Sequence, residues 1–428
     1  MSALSNNRIA RDFLSLFSGR LFGAGVNFLV MMLLLNRLSV SEFGQFTYFF
    51  ALMGALQLVL DVGMDNSFVA LSSSQYAQDR AGYDRSEITF LNLKYLIGAL
   101  CLAVALGTLA VKQDLLLFTV MLSSVPLGLA DTLLTFLRVK GEFKTVGALV
   151  AVINVMRFAV VGLLALSETV HIDTVMYGYA LSNLAYFGIC YARARLAKWH
   201  SLLDREILKA VFSMTKWLFL YNISILLMMR MEVFFLKLYS ADGAIAEAEL
   251  GVYGAAFRLA FFLPLITNSL TAALLPKVSQ MKSQGEIDAY LRRIPSMILP
   301  VAAVFAASYF ASGPLIHYGF SGKYDPSIVI FQLILFGVAC TVFTNSLMLL
   351  FYSTKQLNLL VILSTVQLVA NVLLDLFLIQ SHGALGAGWA MVVVRVIGLV
   401  LVGYFVMAKL RFKPEGDLYA AKNSADPA

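Results

Sequence analysis

The sequence predicts an all-α polytopic membrane protein, with about twelve transmembrane helices in two pseudo-symmetric six-helix lobes around a central cavity. Three observations predict it. The chain of 428 residues is 60% hydrophobic and only 13% charged, whereas a soluble domain is roughly half apolar and a quarter charged. Its apolar residues fall in runs of about 20, the length that crosses a bilayer as a helix. The two halves also echo one another, residues 42–52 reading EFGQFTYFFAL and residues 249–259 reading ELGVYGAAFRL, 207 positions apart. A weaker echo pairs Asn154-Val155 with Asn371-Val372.

In chain order, the first six runs centre on residues 13–35, 43–66, 89–111, 115–137, 145–166 and 174–192. The next six centre on 213–238, 250–275, 294–316, 328–351, 358–380 and 384–408. Pro126 and Pro264 lie inside spans four and eight, where each removes a helix hydrogen bond. Residues 1–192 then form an N-terminal lobe and 193–212 a basic cytoplasmic linker with an amphipathic stretch around Leu202–Val211. Residues 213–410 form the C-terminal lobe and 411–428 a polar tail. An even number of spans per lobe makes the lobes parallel repeats, whose rocking gives alternating access.

Charge sets the orientation. The net charge of +7 comes mostly from the termini and the even-numbered gaps, with Arg138, Lys140 and Lys144 in one and Arg193, Arg195 and Lys198 in another. By the positive-inside rule those loops and both termini are cytoplasmic, so the basic balance reports topology and not nucleic-acid binding. No cleavable signal peptide is expected, because the start is polar and the first apolar run lacks a small-residue cleavage site. Cys101, Cys190 and Cys340 fall within spans and read as small apolar residues.

The charges inside the spans carry the functional reading. Arg20, Arg157, Arg230, Arg258 and Arg395 each interrupt an apolar run. A charge at bilayer depth costs at least about 2.5–3.5 kcal/mol and normally faces a protein interior or a water-filled cavity. Five charges of one sign suit a cavity for an anion. Depth places Arg20, Asp61 and Asp131 in the cytoplasmic half, Arg157 and Arg395 near the midplane, and Arg230, Glu232, Arg258 and Asp375 in the outer half. Helical spacing aligns Ser364, Gln367, Asn371 and Asp375 on one face, Gln57, Asp61 and Asp65 on another, and Ser124, Asp131 and Thr135 on a third. Asn27 shares a face with Arg20, and Asn154 with Arg157. Gly19 and Gly23 form a small-xxx-small pair for close helix approach. Arg20 with Asp61 and Glu232 with Arg258 are candidate ion pairs, and Lys94, near a predicted helix end, is expected to snorkel to the interface.

Several classes are excluded. No phosphate-cradling G-x-x-x-x-G-K-[ST] occurs, so the chain is not expected to hydrolyse ATP. No nucleophile signature appears, His171, His200, His317 and His382 lie in predicted loops, and neither a cofactor nor a metal is expected.

Span one running into L-N-R-L-S-V-S-E-F-G-Q-F (35–46) resembles oligosaccharide flippases of the polysaccharide transporter branch of the MOP superfamily. Those proteins carry AR-x-LG-x-x-x-[FY]-G-x-[FY] between their first two spans. Asn36-Arg37, Glu42, Phe43, Gly44 and Phe46 stand in those positions here. L-D-V-G (60–63), E-L-G-V-Y-G-A-A-F-R-L (249–259) and L-L-P-K-V-S (274–279) resemble further family positions. The resemblance implies a MATE-like fold and movement of an undecaprenyl-pyrophosphate-linked sugar unit from the inner to the outer leaflet of a bacterial cytoplasmic membrane. It makes Arg20, Arg157, Arg395, Arg230, Arg258, Asn27, Asn154 and Asn371 candidate substrate contacts. Asp61, Asp375, Glu232 and Asp131 are candidates for coupling to a proton or sodium gradient. Partners would be the lipid-linked glycan, the bilayer, and a polymerase with its chain-length regulator. A multidrug antiporter of the same superfamily is the alternative, but a cation cavity should be led by carboxylates. A non-transporting scaffold need not carry buried polar stripes, and the loop 72–87 lacks the pattern of a major-facilitator transporter.

Overall fold

The computed structural model describes residues 2–61, 63–196, 203–239, 243–260, 274, 278, 281, 284–353 and 358–409. Pro264, most of the 274–279 segment, part of the linker and the 411–428 tail lie outside those residues. Each predicted span has a helix at its place among the described residues, which for span eight reach only to residue 260. Unit one, residues 1–258, holds α1 (Ser2–Arg37), α2 (Val40–Asp61), α3 (Met64–Gln78), α4 (Arg80–Lys112), α5 (Leu115–Val139), α6 (Phe143–Leu166), α7 (Ile172–Ala194), α8 (Arg205–Tyr239) and nearly all of α9 (Gly243–Leu259). Unit two, residues 259–428, holds α10 (Gln284–Gly319), α11 (Ser327–Ser353) and α12 (Asn358–Lys409).

Among the described residues, eight helices are long and apolar enough to cross a membrane. One of them, α12, contains spans eleven and twelve. Its backbone leaves helical geometry only at Gly383, with φ 55° and ψ −133°, a conformation open to glycine and costly for other residues. The helix ends follow local chemistry. Asp79 accepts the Gly82 N–H at 3.0 Å before α4, and Asp114 accepts the Leu117 N–H at 2.9 Å before α5. Gly141, with φ 76°, turns the chain between α5 and α6.

In unit one, α1 lies along α6, and α5 packs against α7, α2 and α4. The small-xxx-small expectation holds. A Cβ on Gly19 would collide with the Gly147 backbone, and one on Gly23 would lie 2.9 Å from the Asn154 side chain. Cys101 packs with Leu60, Val125 and Leu129, and all three cysteines are buried free thiols.

Two features differ from the sequence reading. Span two is not one helix: α2 stops at Asp61 and α3 begins at Met64, with Gly63 at φ 72° between them. An apolar run cannot reveal such a break, because a single glycine barely alters it. The other is the crossing of α2 and α9. A Cβ on Gly44 would strike the Glu247 carbonyl and lie 2.9 Å from the Gly251 N, and one on Gly251 would strike the Val40 carbonyl. These are the glycines that occupy equivalent places in the two echoing segments. The Ser41 hydroxyl donates to Glu247 at 2.8 Å beside them.

Candidate functional site

Two charge clusters lie in unit one, and they are built on opposite principles. The first begins on α6 with Arg157, which is 8% exposed. Its Nη2 donates to Asn183 Oδ1 on α7 at 2.9 Å, and its guanidinium lies 4.9 Å over the Tyr179 ring. Asn183 Nδ2 in turn donates to the Ser123 carbonyl at 3.4 Å, which fixes the amide. Tyr179 meets Phe46 of α2 edge to face at 5.7 Å. Arg258 of α9, 7% exposed, stacks 4.0 Å over Phe50 and 6.0 Å from Phe46. Arg230 of α8 lies 5.9 Å from the same Phe50 and against Gly54, where a Cβ would approach its guanidinium to 3.1 Å. A small pocket opens here, lined by Thr47, Arg230, Tyr253, Gly254, Phe257 and Arg258.

Among the described residues no carboxylate lies within ion-pair distance of Arg157 or Arg258, while Glu232 acts on Arg230. Among the described residues the buried Nε atoms of Arg157 and Arg230 have no hydrogen-bond partner. Aromatic faces lower the cost of desolvating a guanidinium by roughly 0.5–2 kcal/mol each, well short of the several kcal/mol that each buried ion loses. An arriving anion would make up the difference with paired, charge-assisted hydrogen bonds.

The second cluster neutralises itself. Lys94, 2% exposed on α4, holds Asp65 Oδ1 at 2.8 Å and Asp61 Oδ1 at 3.3 Å. It also donates to the Leu60 carbonyl at 3.0 Å, an acceptor left free where α2 ends. Thr135 of α5 donates to Asp65 Oδ2 at 3.1 Å, and the Asp65 N–H donates to Asp61 Oδ1 at 3.0 Å. Lys94 therefore does not snorkel. The apolar run placed it near a helix end, but α4 starts at Arg80, which carries Lys94 well inside. A second lysine site is structural: Lys140 pairs with buried Glu87 at 2.7 Å and caps α7 through the Ala194 carbonyl at 2.9 Å.

The remaining sequence candidates are scattered. Arg20 is exposed on α1 and has Arg138, not Asp61, as its charged neighbour. Glu232 is buried and acts on Arg230, and it is not among the charges acting on Arg258. Asn27 is half-buried, and Asn154 donates to its own helix at the Val150 carbonyl. In unit two, Asn371 donates to Asp375 at 3.1 Å, both buried, and Gln367 of that stripe faces Val394 and Gly398 across the Gly383 bend. Arg395 is half-buried with its stem 3.6 Å from where a Gly337 Cβ would lie. Asp131 is exposed on α5 although its neighbours Ala130, Thr132, Leu133 and Leu134 are buried. Sequence reasoning missed Tyr179 and Asn183. Their signal was a polar stripe in span six, Tyr179, Ser182, Asn183 and Tyr186, at helical spacing.

The sequence profile of the polysaccharide biosynthesis protein family matches residues 9–282. The probable low-salt glycan biosynthesis flippase Agl15 of Haloferax volcanii is 22% identical over 95% of this chain and 85% of its own length. The lipid II flippase MurJ in an inward closed conformation superposes with a TM-score of 0.73 at 16% identity, over 96% of this chain and 90% of that one. An inward-facing multidrug resistance MATE transporter of the MOP superfamily does so with 0.70 at 14%, over 94% and 96%. The chain belongs to the polysaccharide biosynthesis protein family and has the fold of the MOP superfamily transporters.

Proposed function

We propose that the protein is a flippase. It moves a polyprenyl-pyrophosphate-linked oligosaccharide repeat unit from the inner to the outer leaflet of a bacterial cytoplasmic membrane by alternating access, for O-antigen, capsule or exopolysaccharide assembly. The observation that carries this is the pair of buried arginines Arg157 and Arg258, each over an aromatic ring with no carboxylate within ion-pair distance among the described residues, with Arg230 beside Phe50. Such a site recognises a dianionic pyrophosphate or an acidic sugar and repels organic cations, which counts against the multidrug antiporter. The glycan-flippase name of the Haloferax relative and the lipid II flippase fold support the same substrate class.

In this reading the lobes divide at the basic segment 193–212, both termini are cytoplasmic, and Arg20 and Arg395 attend the substrate before and after its passage past Arg157. A polymerase and a chain-length regulator would receive the product. The test is polymer export in cells carrying Arg157→Gln or Arg258→Gln as their only copy. Export should fall to background at normal protein levels. Wild-type export by both variants would refute the anion site.

A further inference from the structure

The geometry points to Tyr179 as a substrate-binding and specificity-determining residue. Its hydroxyl joins the Arg157 Nε–H in donating to a phosphoryl group, and the two together prefer a pyrophosphate to the carboxylate of an acidic sugar. The assignment rests on the anion reading of the arginines and says which anion Arg157 takes.

Two orphaned donors lie on side chains in contact. Tyr179 of α7 is 0% exposed, and its hydroxyl has no hydrogen-bond partner among the described residues. A buried tyrosine hydroxyl usually finds one, and leaving it without costs stability. The Arg157 guanidinium carbon stands 4.9 Å over the same ring, and its Nε is likewise buried and unpartnered among those residues. Both side chains are held by other means. Asn183, one turn along α7 from Tyr179, accepts from Arg157 Nη2 at 2.9 Å and donates to the Ser123 carbonyl at 3.4 Å. Phe46 of α2 meets the Tyr179 ring edge to face at 5.7 Å. The hydroxyl and the Nε–H are therefore fixed donors that the described fold does not use, the preorganisation that favours an incoming acceptor.

The ring sets the two donors on different levels. The hydroxyl lies in the plane of the Tyr179 ring, and the guanidinium carbon stands over that plane. A carboxylate is flat, so a guanidinium fork takes both of its oxygens in one plane and leaves none for a donor below. A phosphoryl group is tetrahedral. With one oxygen on the guanidinium it turns another toward the rim of the ring, where the hydroxyl meets it. A neutral donor also discriminates in a way that a further arginine could not, because added charge attracts both kinds of anion. In the rocking cycle α9 and its Arg258, which lies against Phe46 and Phe50, draw away from α2 and open this group to the entering headgroup.

The experiment is titration calorimetry of the purified full-length protein with UDP-glucose, a pyrophosphate diester on a neutral sugar, and with glucuronate, a carboxylate without phosphorus. Wild type should bind UDP-glucose more tightly than glucuronate, and Arg157→Gln should bind neither. Tyr179→Phe keeps the ring and removes only the hydroxyl. It should bind UDP-glucose about tenfold more weakly and glucuronate as wild type does. Its thermal unfolding midpoint without ligand should equal or exceed that of wild type, a readout that a hydroxyl bonded within the fold would lower. Unchanged UDP-glucose binding by Tyr179→Phe, equal weakening for both probes, or a lowered ligand-free midpoint overturns the assignment alone. So does glucuronate bound by wild type as tightly as UDP-glucose or more so. Failure of wild type to bind either probe, or wild-type binding by Arg157→Gln, overturns the anion site and the assignment together.

Discussion

Replacing Lys94 by methionine separates a buried structural cation from a snorkelling one. A lysine whose head reached the interface would lose little, since exposed ion pairs are worth about 0–1 kcal/mol. Lys94 is 2% exposed, and its partner Asp65 has a side chain 14% exposed. Removing one member of a buried pair costs about 3–5 kcal/mol, because the other charge stays buried. The Leu60 carbonyl at the end of α2 also loses its donor, a further loss of about 1 kcal/mol or more. Asp61, 41% exposed, adds little, because water takes over its solvation. Lys94→Met should therefore destabilise the protein by about 4 kcal/mol, and Asp61→Asn by less than about 1. Denaturant titration of the purified protein in mixed micelles reads both. The double variant Lys94→Met/Asp65→Leu should recover part of the loss, with a coupling of about 2–3 kcal/mol, since an apolar pair can replace a buried ionic one. Equal stability of Lys94→Met and Asp61→Asn would refute the argument.

Gly251→Val should push α2 and α9 apart, because the Val40 backbone that its Cβ meets cannot rotate away. Overpacking of this kind costs about 1–3 kcal/mol, and a cysteine at Ser41 should then react faster with a water-soluble maleimide. Gly25→Ala is the control, since a Cβ there meets nothing within 4 Å; it should be neutral or stabilising by up to about 1 kcal/mol. Asn183→Leu should leave the Arg157 guanidinium without its 2.9 Å acceptor and lower polymer export several-fold. Asn183→Asp, which keeps the acceptor but supplies a permanent counter-ion, should lower it further by competing with the substrate. Arg157→Lys should fail to rescue Arg157→Gln, because one ammonium cannot reproduce a planar fork stacked on Tyr179.

Much of the architecture was legible because bilayer depth imposes a length on every span. The helices stand where the apolar runs stand, and Gly19 and Gly23 meet Gly147 and Asn154 as their spacing predicts. What escaped depends on single residues or on partners far apart in sequence. Gly63 breaks span two without changing its hydropathy. Lys94 was misplaced because the charged start of α4, from Arg80 on, is helix that an apolar run does not count. The arginines were visible as anomalies, but nothing in one chain says which acid stands beside which base. Asp61 belongs to Lys94, and Glu232 acts on Arg230. Only folded geometry separates an arginine with a counter-ion from one without.

That separation bears on mechanism. A buried cation that already has its carboxylate gains little from a passing anion, since the anion must first displace a covalently tethered rival. Lys94 and Lys140 are cations of that kind, and their partners tie α2, α3, α4 and α7 together. Arg157 and Arg258 are supported by ring faces and an amide instead, groups that accept a guanidinium without neutralising it. Aromatic support leaves the full charge available and holds the fork in place, so an entering pyrophosphate loses little entropy in ordering it. The same choice carries a liability, because an unpaired guanidinium destabilises the empty site. The Gly44–Gly251 crossing beside it meets that cost with close backbone packing and the Ser41–Glu247 hydrogen bond. Loosening the crossing and filling the arginines should then act against one another: an anion that stabilises the site should slow maleimide labelling of the Gly251→Val protein less than that of the wild type.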